Sequence, residues 1–479
     1  MCFMSDKKKR WAVTIIIIVG NLIWWLIPSN VTYLVFQSRD VLLGRYSVDR
    51  LVTMVIIAFF SLPAIYIVWL ERKNRKEYLF KITSIFLGLI AGLIVLDIAV
   101  RLIRTPRYIK TDNVYHRIPQ QKDTGIFKDV PENRKAYSRI LPGHPDVKYT
   151  LTVDKRGFRN TIDLEKYDVL VLGDSFAEGS KVSDNQTWPF LHGVKSGRSV
   201  YNAGMSGGDP NDYLETLQKV GIQLSPDIVL CMLFEGNDFR GSGQIIGRVK
   251  RESSLKQRLR AYIKTSPVRS VVLKILINKL STPGKECPNI DNSINNNSGQ
   301  VGGSDIFSWF PLAITAGSNS KYYAFKVKKL LVHYIDKQTF ADSDGCKTVF
   351  LVLNKIKKIC KKNNFRFIVL YAPDKPHVIM PLFEEKLSAQ NIRSFLELKK
   401  KGLPSPQKTK SILYKNLNAE EDVIREFCNK EEIEFVSLTK RLRSAIQNGR
   451  QAYYTYDQHW TPIGHQVVAE VLYDYLNRK

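Results

Sequence analysis

An α/β fold with a parallel sheet is predicted for the C-terminal two-thirds of the chain by two observations. Short apolar runs alternate with segments of helical periodicity from about residue 166 onward, and turn-forming residues punctuate each change. The strand candidates are Asp168–Leu172, Ser199–Asn202, Asp227–Leu233, Arg366–Tyr371 and Ile433–Ser437. Each is four to seven residues long and, in the main, β-branched or aliphatic, the composition of a strand covered on both faces. Helical segments lie between and after them at Asp212–Val220, Cys346–Lys362, Glu420–Asn429 and Ile463–Leu476.

The first hundred residues are of another kind. Trp11–Ile27, Leu51–Leu70 and Ile82–Leu96 are apolar on every side and nearly free of charge. Runs of this length match a hydrocarbon core of about 30 Å, whereas a soluble core helix alternates faces. Residues 1–104 are therefore expected to form a membrane anchor with spans at about 11–27, 51–70 and 79–100; two spans is the alternative count. Lys7–Arg10 could head a signal peptide, but no small-residue cleavage site follows and two more apolar runs do. Basic residues before the first run and at Arg72, Lys73, Arg75 and Lys76 place the N-terminus and second loop in the cytoplasm. With three spans, the rest of the chain lies outside, although Arg101, Arg104, Arg107 and Lys110 flank the outer end of the third.

A net charge of +27 suits an acidic partner such as an anionic glycan or lipid headgroups. No basic stripe is interleaved with aromatics and no DNA-binding motif occurs, so no nucleic-acid partner is expected. The six cysteines, Cys2, Cys231, Cys287, Cys346, Cys360 and Cys428, form no C-x-x-C pair, and no metal site is expected from them. Cys231 lies inside an apolar strand and reads as a buried small hydrophobe. One or two disulfides among the others stay open, without a pairing.

Residues 105–165 read as a β-containing lead-in, and 166–479 as the α/β domain. The third and fourth strands are too far apart for an ordinary connection, so about 240–345 reads as an insertion. Its part 289–304 is polar and asparagine-rich and cannot bury a core. A second polar insertion covers about 388–412.

In an open parallel sheet, ligands meet the loops at the strands' carboxyl ends. Here those loops carry Gly173-Asp174-Ser175, Asn202-Ala203-Gly204 and Gly236-Asn237-Asp238, and the last strand is followed by Asp457-Gln458-His459-Trp460. Acyl transfer through serine needs a hydroxyl, a base, a group orienting the base, and donors for the oxyanion. Ser175, His459 and Asp457 supply the first three. The N–H groups of Ser175 and Gly204 and the amide of Asn237 supply the donors. Taken singly, Ser175 could be a helix cap, Asn237 and Asp238 an Asx turn, and His465 a second histidine near the site. The glycine-flanked 173–179 lacks the ending of a phosphate loop, and the serine is not in a G-x-S-x-G elbow.

The blocks GDSF (173–176), NAG (202–204), GND (236–238) and DQHW (457–460) resemble those of the SGNH (GDSL-type) hydrolases over about residues 150–479, insertions aside. The resemblance implies a flavodoxin-like α/β/α sandwich with a five-stranded parallel sheet. It implies Ser175 as nucleophile, Gly204 and Asn237 completing the oxyanion hole, and Asp457 and His459 finishing the triad, with no metal or cofactor. One residue, not two, separates Asp457 from His459. That form resembles proteins of exopolysaccharide O-acetylation, such as those acting on alginate. The branch implies an extracytoplasmic enzyme that hydrolyses or transfers O-acyl groups, acetyl above all, on a cell-surface glycan, together with a membrane acyltransferase partner. A non-catalytic glycan-binding or scaffolding component is the alternative.

Overall fold

In the computed structural model the described residues are 6–26, 72–103, 108–131, 139–239 and 309–477, except 113, 317 and 318, with short pieces within 40–69 and at 285–286. The basic helical part expected at 254–279 and the polar tract 289–304 lie outside the described residues. The chain divides into two compact units. One comprises 1–105, 133–138 and 253–284, and the other 106–132, 139–252 and 285–479.

The first unit contains the helices Asp6–Leu26 and Arg72–Ile103, which coincide with the first and third expected spans. Most of 51–70 lies outside the described residues. Among the described residues no helix is long and apolar enough to cross a membrane, so neither of these two helices meets what the expected spans require. The Trp69 indole donates to Thr14 Oγ1 at 3.1 Å and stacks edge-on against Trp11 at 5.0 Å.

The second unit is built on five parallel strands: β1 (Val169–Leu172), β2 (Val200–Asn202), β3 (Ile228–Phe234), β4 (Arg366–Ala372) and β5 (Glu434–Ser437). Their order is β2-β1-β3-β4-β5, the flavodoxin-like order, and every pairing is parallel. Residue alternation sends neighbouring side chains to opposite faces and so creates two cores. Val169, Val171, Leu230, Met232, Ile368 and Leu370 pack with Trp188, the C-terminal helix Pro462–Leu476 and the hairpin Trp309–Lys326. Leu170, Leu172, Val229, Cys231, Val369 and Tyr371 pack with the helices Pro210–Thr216, Asp344–Lys362 and Ala419–Lys430. The result is an α/β/α sandwich.

Three elements go beyond what the sequence analysis expected. A helix, Thr439–Gln447, stands between β5 and the Asp457–Trp460 loop; Leu442, Ala445 and Ile446 bury one side of it. The stretch 388–412 is largely helical, Ala389–Glu397 and then Pro406–Asn416, and Ile392, Phe395, Leu396 and Leu413 enter the core. Its apolar residues were sparse enough to read as polar because only one helix face is covered. The end of the long insertion is ordered into regular elements as well. It forms the antiparallel hairpin and the helix Val327–Val332, with Leu312, Tyr323 and Leu330 fully buried.

Before the sheet, Lys122–Phe127 pairs antiparallel with Val147–Thr152. Arg159 ties this segment down: its guanidinium donates to the carbonyls of Thr150, Gly179 and Val182 and pairs with Asp184. Cys231, Cys346, Cys360 and Cys428 are free and buried, so none of these four forms a disulfide. Burial pushes the thiols of Cys346, Cys360 and Cys428 up to about 12.

Candidate active site

The strand order reverses about β1, and the crevice at the carboxyl ends of β1 and β3 is where such sheets hold ligands. The chain leaves β1 through Gly173, whose φ is +153°, a conformation that side chains disfavour. A Cβ there would stand 2.7 Å from the Ala177 methyl. Asp174 then caps the short helix Ser175–Glu178 by accepting the Phe176 N–H at 2.9 Å. Ser175 is thereby the first helical residue, at the rim of the crevice, and Asp174 is the cap.

Phe176 fixes the surroundings. Its ring stacks on Phe234 at 3.9 Å, meets Trp460 edge-on at 4.8 Å and lies 4.9 Å from the His459 ring. Against that wall, His459 Nε2 is 2.7 Å from Ser175 Oγ and His459 Nδ1 is 2.5 Å from Asp457 Oδ1. The same Asp457 oxygen accepts the His459 backbone N–H at 2.8 Å. With the Nδ1 proton given to Asp457, the Nε2 lone pair faces the serine hydroxyl. Burial raises the Asp457 carboxyl, but the His459 ring and its hydrogen bonds outweigh this and hold it well below the usual carboxylate range.

The loop that carries Asp457 and His459 is clamped from two sides. Asp129, a buried residue of the lead-in, accepts the N–H groups of Thr455 (2.6 Å), Tyr456 (3.0 Å), Asp457 (3.1 Å) and His144 (3.0 Å). From the other side the buried Lys375 ammonium donates to the carbonyls of Thr455 (2.8 Å) and Ala324 (2.9 Å). Burial lowers Lys375 to about 8, with Asp129 and Asp457 opposing that shift. A bridge between Tyr453 and Trp460 closes the loop, and Thr461 caps the helix that follows.

The expected oxyanion residues are gathered here but are partly engaged. The Gly204 N–H donates to Asn202 Oδ1 at 2.9 Å, and the Asn237 amide donates to Asp174 Oδ2 at 2.8 Å. Gly204 rests directly on the nucleophile helix: a Cβ would stand 2.4 Å from Glu178 N and 2.7 Å from the Ala177 carbonyl carbon. Backbone cannot yield as a side-chain tip can. Gly204→Ala is expected to cost about 1–3 kcal/mol, an overpacking penalty that a thermal melt will read as a lower Tm. Asp238 takes no part in the crevice; its carboxylate is buried, accepting the Phe234 N–H and the Tyr213 hydroxyl. His465 is buried, accepts the Trp188 N–H at 3.3 Å and is lowered to about 3 by burial, so His459 is the histidine at Ser175.

Beside His459 a cavity of about 310 Å³ opens, lined among others by Phe127, Lys128, Lys326, Lys329, Lys375 and Gln458. Lys329 donates to the Gly236 carbonyl at 3.2 Å and lies over the Phe234 ring. The sequence reading included neither Asp129 nor Lys375. Asp129 had no recognisable signal, because its partners are backbone groups and three of the four lie more than 300 residues away. Lys375 had one: Pro373-Asp374-Lys375 follows β4 and the strand-end rule covers it as it does the other loops. The described residues also bring together Glu235, His333 and Asp374, whose donor atoms all lie within 4.8 Å of one another. This set was not expected from the cysteine spacings.

No family model matches the chain, and no curated protein does. Among solved structures it is similar to a member of the lipolytic protein G-D-S-L family from Veillonella parvula (9% identity, 65% of this chain and 98% of that one, TM-score 0.29). It is similar also to a GDSL-like lipase from Bacteroides thetaiotaomicron (13% identity, 64% and 86%, TM-score 0.25). The acetyl xylan esterase AlAXEase is a third such structure, with 10% identity, 64% of this chain and 99% of that one, and a TM-score of 0.29. At TM-scores of this size the likeness adds nothing to what the geometry of Ser175, His459 and Asp457 carries.

Proposed function

We propose that the chain is a serine-dependent acyl-ester enzyme of SGNH type, working through an acyl-Ser175 intermediate. One observation carries this reading: the continuous Ser175–His459–Asp457 hydrogen-bonded series, with distances of 2.7 and 2.5 Å. His459 Nε2 takes the Ser175 proton as Oγ attacks the acyl carbonyl, and Asp457 holds the ring and offsets the imidazolium charge. The leaving alcohol takes that proton from His459. Water then releases the acyl group as an acid, or a sugar hydroxyl accepts it. The Ser175 and Gly204 N–H groups and the Asn237 amide are the oxyanion donors, once Asn202 and Asp174 cede part of their hold. Labelling with a fluorophosphonate probe tests the reading. A Ser175-dependent adduct is expected, and its absence in a folded chain leaves the non-catalytic glycan-binding component instead.

The substrate assigned is an O-acylated, above all O-acetylated, cell-surface glycan outside the cytoplasm, served by a membrane acyltransferase. The D-x-H-W spacing and the net charge of +27 support this. Association with a membrane through the N-terminal helices is part of the same proposal. Trp11, Ile15, Ile16 and Leu22 on one helix, and Phe80, Ile85, Leu87 and Val95 on the other, are exposed large apolar side chains, which water does not favour. Deleting residues 1–104 is expected to move the protein out of the membrane fraction. Surface polysaccharide from cells carrying Ser175→Ala is expected to differ from wild type in acyl content; an unchanged content overturns the glycan assignment.

Asp129 is a positioning residue in this scheme. Asp129→Ala leaves four N–H groups without their acceptor, at about 1–3 kcal/mol for each that stays buried. The loop then relaxes and Asp457 shifts relative to Ser175. A displacement of about 1 Å costs on the order of 10²-fold in rate, so kcat on a p-nitrophenyl ester is expected to fall by about that factor with KM little changed.

A further inference from the structure

The cavity beside His459 has in its wall a buried charge without a counter-ion. Lys375 is 2% exposed. Its ammonium donates to two neutral carbonyls, those of Ala324 and Thr455, and among the described residues no carboxylate pairs with it. An ammonium has three donors, and a buried one without an anion is costly. Lys128, Lys326 and Lys329 line the same cavity. The three aspartates in the wall are engaged elsewhere. Asp129 accepts four backbone N–H groups, Asp374 Oδ1 is 2.8 Å from His333 Nε2, and Asp457 holds His459. Lys128 meets Asp146 at 3.6 Å, but both side chains are exposed, so that pair is weak. Four lysines against three aspartates leave the wall with a surplus of one positive charge.

The wall contains His459 but not Ser175. His459 returns its proton to the leaving alcohol, so the alcohol portion of an ester lies on this side and the acyl portion at Ser175. At about 310 Å³ the cavity is at the small end of ligand pockets, with room for a sugar ring. Lys326 and Lys329 come from the end of the long insertion and Lys128 from the lead-in, so none of the three belongs to the blocks that carry the triad. Lys329 also donates to the Gly236 carbonyl, which places its ammonium beside the loop of Asn237. We propose that this cavity is a subsite for a carboxylate on the alcohol portion of the ester, as on an acidic sugar, bound by Lys375, Lys329 and Lys326. The inference rests on the acyl-ester reading and names the substrate class for it. A carboxylate suits the wall better than a phosphate, because its single charge matches the surplus of one, whereas a dianion meets the three aspartates uncompensated.

The test compares two esters on the full chain, a monoacetylated methyl glucuronide and the matching methyl glucoside. kcat/KM is expected to be at least about 10-fold higher for the glucuronide ester, and added salt to shrink that preference. Lys329→Gln and Lys326→Gln are each expected to lower the preference by about 5-fold, read as the ratio of the two esters so that an effect on turnover in general cancels. Lys361→Gln removes an exposed charge at the end of the helix Asp344–Lys362, at the opposite edge of the sheet, and is expected to leave the ratio as in the parent. An equal fall there assigns the preference to the overall charge of the chain and overturns the subsite. Calorimetry on the Ser175→Ala chain needs no turnover, and methyl glucuronide is expected to bind it at least about 10-fold more tightly than methyl glucoside. Glucuronide bound while neither ester is turned over by the parent sinks the acyl-ester reading and leaves an anion site. Both esters turned over with equal kcat/KM overturn the subsite alone. Inorganic phosphate bound more tightly than methyl glucuronide overturns the carboxylate. Should Lys329→Gln fail to fold, Lys326→Gln and the calorimetry decide the question.

Discussion

Ser175→Ala is expected to abolish turnover of a p-nitrophenyl ester while the melting curve stays that of the parent. The hydroxyl is the only group lost, and alanine suits the first turn of the Ser175–Glu178 helix, whose cap is Asp174 and not the serine. Loss of the nucleophile removes the covalent path altogether, so kcat is expected to fall by at least ~10⁴-fold. His459→Ala is expected to do the same, because Oγ then has no acceptor for its proton within reach. The two losses will not add: a triad acts as a unit, and the double variant is expected to match either single one. Activity retained by either variant removes the triad assignment.

Asp457→Asn is expected to lower kcat by about 10²- to 10⁴-fold. The carboxamide can still accept the Nδ1 proton, but it no longer offsets the imidazolium that forms as Ser175 attacks. The substitution also has a signature in stability against pH. The folded Asp457 carboxyl is held below its ordinary value, so the pair with His459 stabilises the fold above the unfolded carboxylate pKa of about 3.9. That contribution is lost as pH falls through the depressed folded value. The gap in stability between parent and Asp457→Asn should therefore be constant near neutrality and close on acidification below about pH 4. Denaturant melts across that range measure it, and a gap that widens toward acid contradicts the pairing.

Much of the sheet was legible because buried parallel strands need unbroken apolar runs, and all five candidates lie within a residue of the observed strands. Thr439–Gln447 and the helices within 389–416 were less legible. They bury one face, and their exposed faces carry enough Lys, Arg, Ser and Gln to dilute the period. The triad was legible for a different reason. Ser175, Asp457 and His459 are chemically marked residues in loops, and loops at carboxyl ends of parallel strands converge whatever lies between them.

The sequence by itself determined which side chains could do the chemistry and where along the strands they would be presented. What holds them there was decided only in three dimensions. Asp129 reaches Thr455, Tyr456 and Asp457 across more than 300 residues through backbone N–H groups, which every non-proline residue possesses and no sequence pattern marks. Glu235, His333 and Asp374 meet because two adjacent strands end together and a helix of the insertion comes to rest on them. The Gly173-Asp174-Ser175 turn belongs to both levels. Its glycine and its capping aspartate are local choices, but Phe176, Gly204 and Asn237 close around Ser175 only after the sheet has formed.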